Sequence, residues 1–228
     1  MKICCYVDLH GDLPETPNCD LVIVAGDIAP SIKLEYQSDW FNTNFADWTH
    51  SLPCEDLVFI AGNHDRAFEK TLEMIDFDCI KGTYLYNSST EVKGIKIWGS
   101  PWTLWFNDWA FNFSKGAAGL DEAEMLWNTI PDDTNIIVTH GPLFGHGDIV
   151  QRQEGSVNAG DEILREKFIS LPDCSLHICG HIHEGHGERR IYPYNDKWTI
   201  NASHFHSNFV NPLPPIVIDY PIKLISPW

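Results

Sequence analysis

The sequence predicts an α/β fold. Three observations carry this reading. Five short runs rich in β-branched residues stop at polar or glycine-containing turns. Each run is apolar throughout rather than alternating, as expected of strands buried on both faces. Stretches of helical character lie between them, and strand–helix alternation is the α/β signature. The first run, Ile3 to Val7, ends at Asp8-Leu9-His10, and the second, Leu21 to Val24, ends at Ala25-Gly26-Asp27. Leu34 to Leu52 reads as helix. The third run, Leu57 to Ile60, opens onto Ala61-Gly62-Asn63-His64-Asp65, and Ala67 to Ile75 reads as the helix after it. Glu91 to Trp98 is a further strand and Gly119 to Ile130 a further helix. The fourth run, Ile136 to Val138, stops at Thr139-His140-Gly141. Asn158 to Leu171 has the clearest helical spacing, through Ile163, Leu164, Phe168 and Leu171, with Asn158 as its expected cap. The fifth run, Leu176 to Cys179, meets Gly180-His181-Ile182-His183. Arg190 to Tyr194, Trp198 to Asn201 and Ile216 to Tyr220 read as further strands, which together with Glu91 to Trp98 are candidates for a second sheet. With no repeat, low-complexity tract or Gly/Ser linker, one domain over residues 1–228 is expected.

The charge narrows the function. Fifteen Lys and Arg face 32 Asp and Glu, a formal net charge of −17. Such a surface repels phosphate backbones and anionic lipid heads, so neither long nucleic acid nor a membrane surface is an expected partner. A phosphate-bearing small molecule stays open where a metal ion reverses the local sign. The seven cysteines include no C-x-x-C pair and read as reduced packing thiols. The apolar run at the N-terminus is too short for a signal segment, and no stretch approaches the ~20 residues of a membrane span. A cytoplasmic location is expected.

In open α/β sheets, ligands gather at the carboxyl ends of strands. Here all five strand exits carry metal-capable side chains: Asp8, His10, Asp27, Asn63, His64, His140, His181 and His183. Each exit alone reads as an ordinary turn. Five in succession, with almost no Lys or Arg among them, do not. Carboxylate plus imidazole suits Mn, Fe or Zn. Seven ligands exceed what one tetrahedral zinc needs, but serve two metals about 3.5–4 Å apart with one carboxylate shared.

The ordered set Asp-x-His, Gly-Asp, Gly-Asn-His-Asp, His and Gly-His-x-His resembles the calcineurin-like metallophosphoesterase superfamily. Gly94 to Trp102, Thr139 to Pro142, Gly180 to Gly187, Ile200 to Ser203 and Pro214 to Asp219 bring the likeness closest to the small metallophosphoesterase-domain-containing proteins, which act on cyclic nucleotides and model phosphodiesters. The resemblance implies a four-layer αββα sandwich of two mixed β-sheets flanked by helices. It implies that Asp8, His10, Asp27 and His183 hold one divalent metal and that Asp27, Asn63, His140 and His181 hold a second, with Asp27 bridging and manganese favoured. His64 would contact the phosphate or leaving-group oxygen, oriented by Asp65; otherwise Asp65 is an acid opening the helix that follows. The implied activity is a phosphodiesterase for small phosphodiesters, cyclic nucleotides among them, through attack of a metal-bridging hydroxide on phosphorus. The alternatives are a phosphomonoesterase and a nucleotide- or metal-binding protein with little turnover. Two carboxylates, two divalent ions and a hydroxide sum to about +1, enough to draw an anion into an acidic protein.

The sequence also departs from relatives. Val7 stands where many carry a small polar residue. Gly26-Asp27-Ile28-Ala29-Pro30 lacks the Arg that phosphoprotein phosphatases place after the bridging acid, which argues against that activity. Trp102, Trp105, Phe106 and Trp109 recur at helical spacing and read first as a packed stripe, with a base-stacking wall as the alternative. His146 reads as part of a mobile solvated loop, or else a lid. His186 reads as exposed or supporting, and His204 and His206 have no assigned role. Asp121-Glu122 and Asp132-Asp133 read as solvated helix ends.

Overall fold

The first strand shows how the layers are built. Strand β1 (Lys2–Tyr6) sends alternate side chains to opposite faces, and both faces are apolar. Ile3 and Cys5 enter one buried cluster, Cys4 and Tyr6 another. This computed structural model describes residues 1–191, 194, 196–205 and 210–222. The remaining strands, in chain order, are β2 (Leu21–Ala25), β3 (Asp56–Ile60), β4 (Thr83–Tyr84), β5 (Ser88–Val92), β6 (Ile95–Ser100), β7 (Ile136–Thr139), β8 (Ile149–Arg152), β9 (Gly155–Asn158), β10 (Leu176–Cys179), β11 (Gly187–Arg190), β12 (Trp198–Asn201) and β13 (Ile216–Asp219). The α-helices are α1 (Leu34–Trp40), α2 (Ala46–Ser51), α3 (Ala67–Lys70), α4 (Ala117–Trp127) and α5 (Glu162–Ser170).

Two mixed sheets result. One runs β13-β1-β2-β3-β4, parallel except where β13 pairs antiparallel with β1. The other runs β11-β12-β10-β7-β6-β5, parallel from β12 to β6 with antiparallel edges. Ile3, Cys5, Ile23 and Val58 of the first sheet meet Ile97, Ile136, Val138, Ile178 and Ile200 of the second in a common core. Outside the first sheet, Phe41, Phe45, Trp48 and Phe68 pack on Tyr6, Val24 and Phe59. Outside the second, Ala123 and Trp127 of α4 and Leu164 and Phe168 of α5 pack on Trp98 and Ile137. The layers are therefore helix, sheet, sheet, helix. Parallel pairing of β1, β2 and β3, and of β7 and β10, puts their C-terminal ends side by side.

Several elements differ from the sequence reading, each for a local reason. Leu34 to Leu52 is helical but carries a π-turn at Phe41–Phe45 between α1 and α2. After Ala67 the helix is one turn, followed by a 3₁₀ turn at Leu72–Met74. Glu91 to Trp98 is two strands, because Lys93 and Gly94 both take positive φ and close a two-residue hairpin between β5 and β6. Asn158 does not cap α5; it ends β9, and Asp161 is the cap, its carboxylate accepting from Leu164 N at 2.9 Å. The second Asp161 oxygen accepts from Trp127 Nε1 at 2.8 Å, which ties α5 to α4. Of the expected strand Arg190 to Tyr194, only Arg190 lies in β11, and residues 192 and 193 fall outside the described residues. Asp121-Glu122 sits within α4 rather than at its end, and Glu122 accepts from Ser114 N and Oγ. Asp132 and Asp133 are exposed and face Lys167 and Lys96. All seven cysteines are free thiols. Among the described residues, no helix is long and apolar enough to cross a membrane.

Asp161 joins two helices through one carboxylate. Asp161→Ala should lower stability by about 2–3 kcal/mol, from the lost cap and the orphaned indole N–H. Asp161→Asn, which retains the capping oxygen, should lose about half as much. Urea denaturation of the three proteins measures both.

Candidate metal centre

The strand exits turn sharply. Asp8, His10, Asp27 and His181 adopt left-handed φ of 54°, 45°, 51° and 65°, a region non-glycine residues seldom enter and which marks strained functional backbone. Backbone hydrogen bonds lock the first two exits together: Asp8 N to Gly26 O at 3.0 Å and His10 N to Asp27 O at 2.9 Å. Two glycines permit the approach. A Cβ at Gly62 would overlap Asp27 N and Oδ1, and one at Gly180 would overlap Val7 and the Asp8 carboxylate. The backbone itself therefore sets the size of the cluster.

All seven expected ligands and His64 reach this one place or its immediate surroundings. Asp8, His10 and His183 offer donor atoms within 4.8 Å of one another, and so do Asp8, Asp27 and His140. Asp27 Oδ2 lies 3.3 Å from His140 Nε2, 3.9 Å from His10 Nε2 and 4.0 Å from His64 Nε2. It thus stands between the two groups of imidazoles. Asn63 Oδ1 lies 2.9 Å from His140 Nε2, and Asp8 Oδ2 lies 3.8 Å from His183 Nε2. The His181 ring sits 5.0 Å from that of His140, and its backbone N–H donates to Asp8 Oδ2 at 2.9 Å. His64 donates its backbone N–H to Asp27 Oδ1 at 2.7 Å, while its half-buried ring packs 4.4 Å from Trp109.

Asp65 differs from both expectations. It is fully buried, and its carboxylate accepts from Ile28 N, Ala29 N and Gly62 N at 2.8–3.1 Å. It neither touches the His64 ring nor caps α3; it clamps the β2 exit to the β3 exit. Burial and the nearby Asp27 charge raise its pKa to about 7. The aromatic cluster is also not a packed helical stripe. Residues 101–112 form turns, with Asn112 Nδ2 donating to Phe106 O, Asn107 O and Trp109 O. Trp102 stacks on Phe113, whereas Trp105, Phe106 and Trp109 are exposed. The loop holding His146 is pinned rather than loose: buried Asp148 accepts from Gly145 N, Gly160 N and Asn158 Nδ2. His186 contacts Ser203 O through Nδ1, His204 pairs with Asp12 at 2.9 Å, and His206 lies outside the described residues. Buried His177 was not singled out in the sequence. It joins Thr139 to Thr199 through 2.8 Å contacts, and burial holds it neutral with a pKa of about 3.

A family model described as calcineurin-like phosphoesterase matches residues 6–185. The chain belongs to the calcineurin-like phosphoesterase family. It is 32% identical over 248 residues to metallophosphoesterase domain-containing protein 1 of Homo sapiens, spanning 96% of this chain and 71% of that protein. It is 29% identical to a UPF0046 protein of Caenorhabditis elegans, over 97% of this chain and 60% of that one. A solved crystal structure superposes with a TM-score of 0.58 at 14% identity, over 89% of this chain and 90% of that chain, a likeness of fold alone. This phosphoesterase is accordingly a hydrolase of a family that binds divalent metals.

The donor atoms of the phosphoesterase fit such ions. Two ligands ~2.1 Å from one cation stand about 3.0–3.4 Å apart, close to the 2.9 Å and 3.3 Å that separate His140 Nε2 from Asn63 Oδ1 and Asp27 Oδ2. His140 Nδ1 donates to Ala25 O at 3.0 Å, which turns the Nε2 lone pair of the neutral ring toward those two oxygens. Three lone pairs then converge, and only a proton or a metal ion can sit among them. Asp8 Oδ1 and Asn63 Nδ2 are buried without a hydrogen-bond partner. Without a metal, burial opposes a charged His140, but Asp27 and Asp8 overcome it and raise the ring to about 9. Burial would likewise raise Asp27, yet the surrounding imidazoles, His140 first, hold it well below the usual carboxylate range.

The sign of the pH dependence follows. His140 carries a proton below about pH 9 in the metal-free protein, and a metal ion bound at Nε2 would have to displace it. Affinity should climb with pH between about 6 and 9, with release of close to one proton at this cluster. Calorimetry in buffers of differing ionisation enthalpy reads the proton directly. Gly62→Ala should abolish measurable binding while leaving the sheets folded by circular dichroism.

Proposed function

We propose that this phosphoesterase hydrolyses small phosphodiesters, cyclic nucleotides among them, with two divalent metal ions, manganese favoured. The observation that carries the reading is a cavity of about 760 Å³ whose floor is the histidine–aspartate cluster and whose wall is aromatic. His10, Asp27, His64, His181 and His183 line one side, and Trp105, Phe106 and Trp109 line another. Exposed indole and phenyl faces at a phosphate-handling site suit a flat nucleobase, at about 1–3 kcal/mol per stacked base. Arg152 is the lone lysine or arginine among the described lining residues. Beyond the metal ions, a single arginine suits the one negative charge of a diester better than the two of a monoester dianion.

Asp8, His10, Asp27 and His183 would hold one ion and Asp27, Asn63, His140 and His181 the other, with Asp27 shared as its position between the imidazoles allows. When bound, the ions supply positive charge to the phosphoryl oxygens and lower the pKa of water. Asp65, Gly62 and Gly180 fix the geometry of the exits. His64, half-buried against Trp109 and 4.0 Å from Asp27, hydrogen-bonds or protonates the departing oxygen.

Three experiments test this. With Mn²⁺ present, bis-p-nitrophenyl phosphate should be cleaved in preference to p-nitrophenyl phosphate; the reverse preference would make the protein a monoesterase, and no turnover would make it a binder. His64→Ala should keep both metal ions and lose about 10²–10⁴ in kcat for cyclic nucleotides, with a smaller loss for the better leaving group p-nitrophenolate. Trp105→Ala should raise KM for cyclic nucleotides about tenfold and leave methyl p-nitrophenyl phosphate nearly unchanged.

A further inference from the structure

Two buried side chains beyond the end of the fifth apolar run lie behind the cluster, Asn201 closing β12 and Ser203 two residues on. They are 1% and 0% exposed. The Ser203 hydroxyl lies 2.5 Å from Asp8 Oδ2 and 2.8 Å from Asn201 Oδ1. It has one proton, and a carboxylate oxygen is a stronger acceptor than an amide oxygen. Asn201 Oδ1 accepts instead from Ser203 N at 3.1 Å, which fixes the serine backbone beneath Asp8. The other end of the same amide points elsewhere: Asn201 Nδ2 donates to Ile182 O at 2.9 Å, in the loop that carries His181 and His183, and reaches Gly147 O at 3.3 Å. His181 N donates to the same Asp8 oxygen as Ser203. Asp8 Oδ2 therefore has two donors and a fixed torsion, and Oδ1 is buried with none. A buried carboxylate oxygen left without a donor calls for a positive charge.

We infer that Asn201 and Ser203 are positioning residues, which set the Asp8 carboxylate for metal binding and lock it to the loop of His181 and His183. The inference rests on the metal-binding reading of the cluster. It places the control of Asp8, which stands at the exit of the first strand, in side chains nearly two hundred residues later, on the opposite sheet. Partners of this kind around a metal ligand typically alter affinity by about 10- to 100-fold.

The test is titration of metal-free protein with Mn²⁺ by calorimetry, alongside its thermal midpoint. The wild type should bind two ions. Ser203→Ala should weaken one of them about 10- to 100-fold and spare the other, and Ser203→Thr, which keeps the hydroxyl, should restore the weakened one. Wild-type affinity at both positions in Ser203→Ala would overturn the inference, whatever happens to the thermal midpoint, because a merely structural serine moves the midpoint and not the affinity of the folded protein. Should Ser203→Ala fail to fold, Asn201→Ser, too short to reach Ile182 O, carries the same expectation and the same overturning result. A wild type that binds no metal ion would remove the reading of the cluster itself, and is told apart by needing no variant.

Discussion

A buried carboxylate among imidazoles governs this molecule. Asp27 is nearly inaccessible to water, yet His10, His64 and His140 all face one of its oxygens, and its other oxygen holds the His64 backbone. Such a group is tolerable only if opposite charge is close at hand. The surrounding architecture is arranged to meet that demand. Parallel strands deliver five exits to one edge, left-handed turns fold three of them inward, and Gly62 and Gly180 give way so that the donors can approach. The hydrophobic layers then carry the stability, which frees the exits to adopt a strained backbone that local propensity alone would not select.

The electrostatics of the whole chain and of the site oppose each other. The surface is strongly acidic, and within the aromatic-walled cavity the described lining residues include one arginine. On the proposed reading, an anion approaching this acidic protein would be drawn in only where metal charge outweighs Asp8 and Asp27. Selectivity would then fall to the neutral features of the cavity. Exposed aromatic faces in a loop held by Asn112 would discriminate by shape and stacking rather than by charge.

Much of the fold was legible because its signals are local. The five apolar runs are strands, and the polar groups that follow them stand where parallel strands end, so the candidate ligands could be read in order along the chain. What escaped depends on partners distant in sequence or on ties between near-equal signals. Asn158 and Asp161 are both good caps three residues apart, and the indole of Trp127 favours the second. The spacing of Trp102, Trp105, Phe106 and Trp109 fits a helix, but Asn112 stabilises turns in its place. Asp65 looked like a helper for its neighbour His64, whereas its acceptors are used by amides at residues 28 and 29. Ser203 and Asp8 are separated by nearly the whole chain, and no pattern in the sequence could pair them.

The cluster draws on both halves of the sandwich. Asp8, His10, Asp27 and Asn63 leave the first sheet, while His140, His181 and His183 leave the second. Between the two sheets below them lies an apolar core with no covalent link, since every cysteine is free. A metal ion gripped from both sides would act as a clasp across that seam. The metal-free chain would then breathe most at this mouth, with the ends of β7 and β10 parting from those of β1 and β2, and loading would close it. Catalytic competence and the mechanical closure of the fold would in that case be one event, and metal scarcity would loosen and silence the protein together.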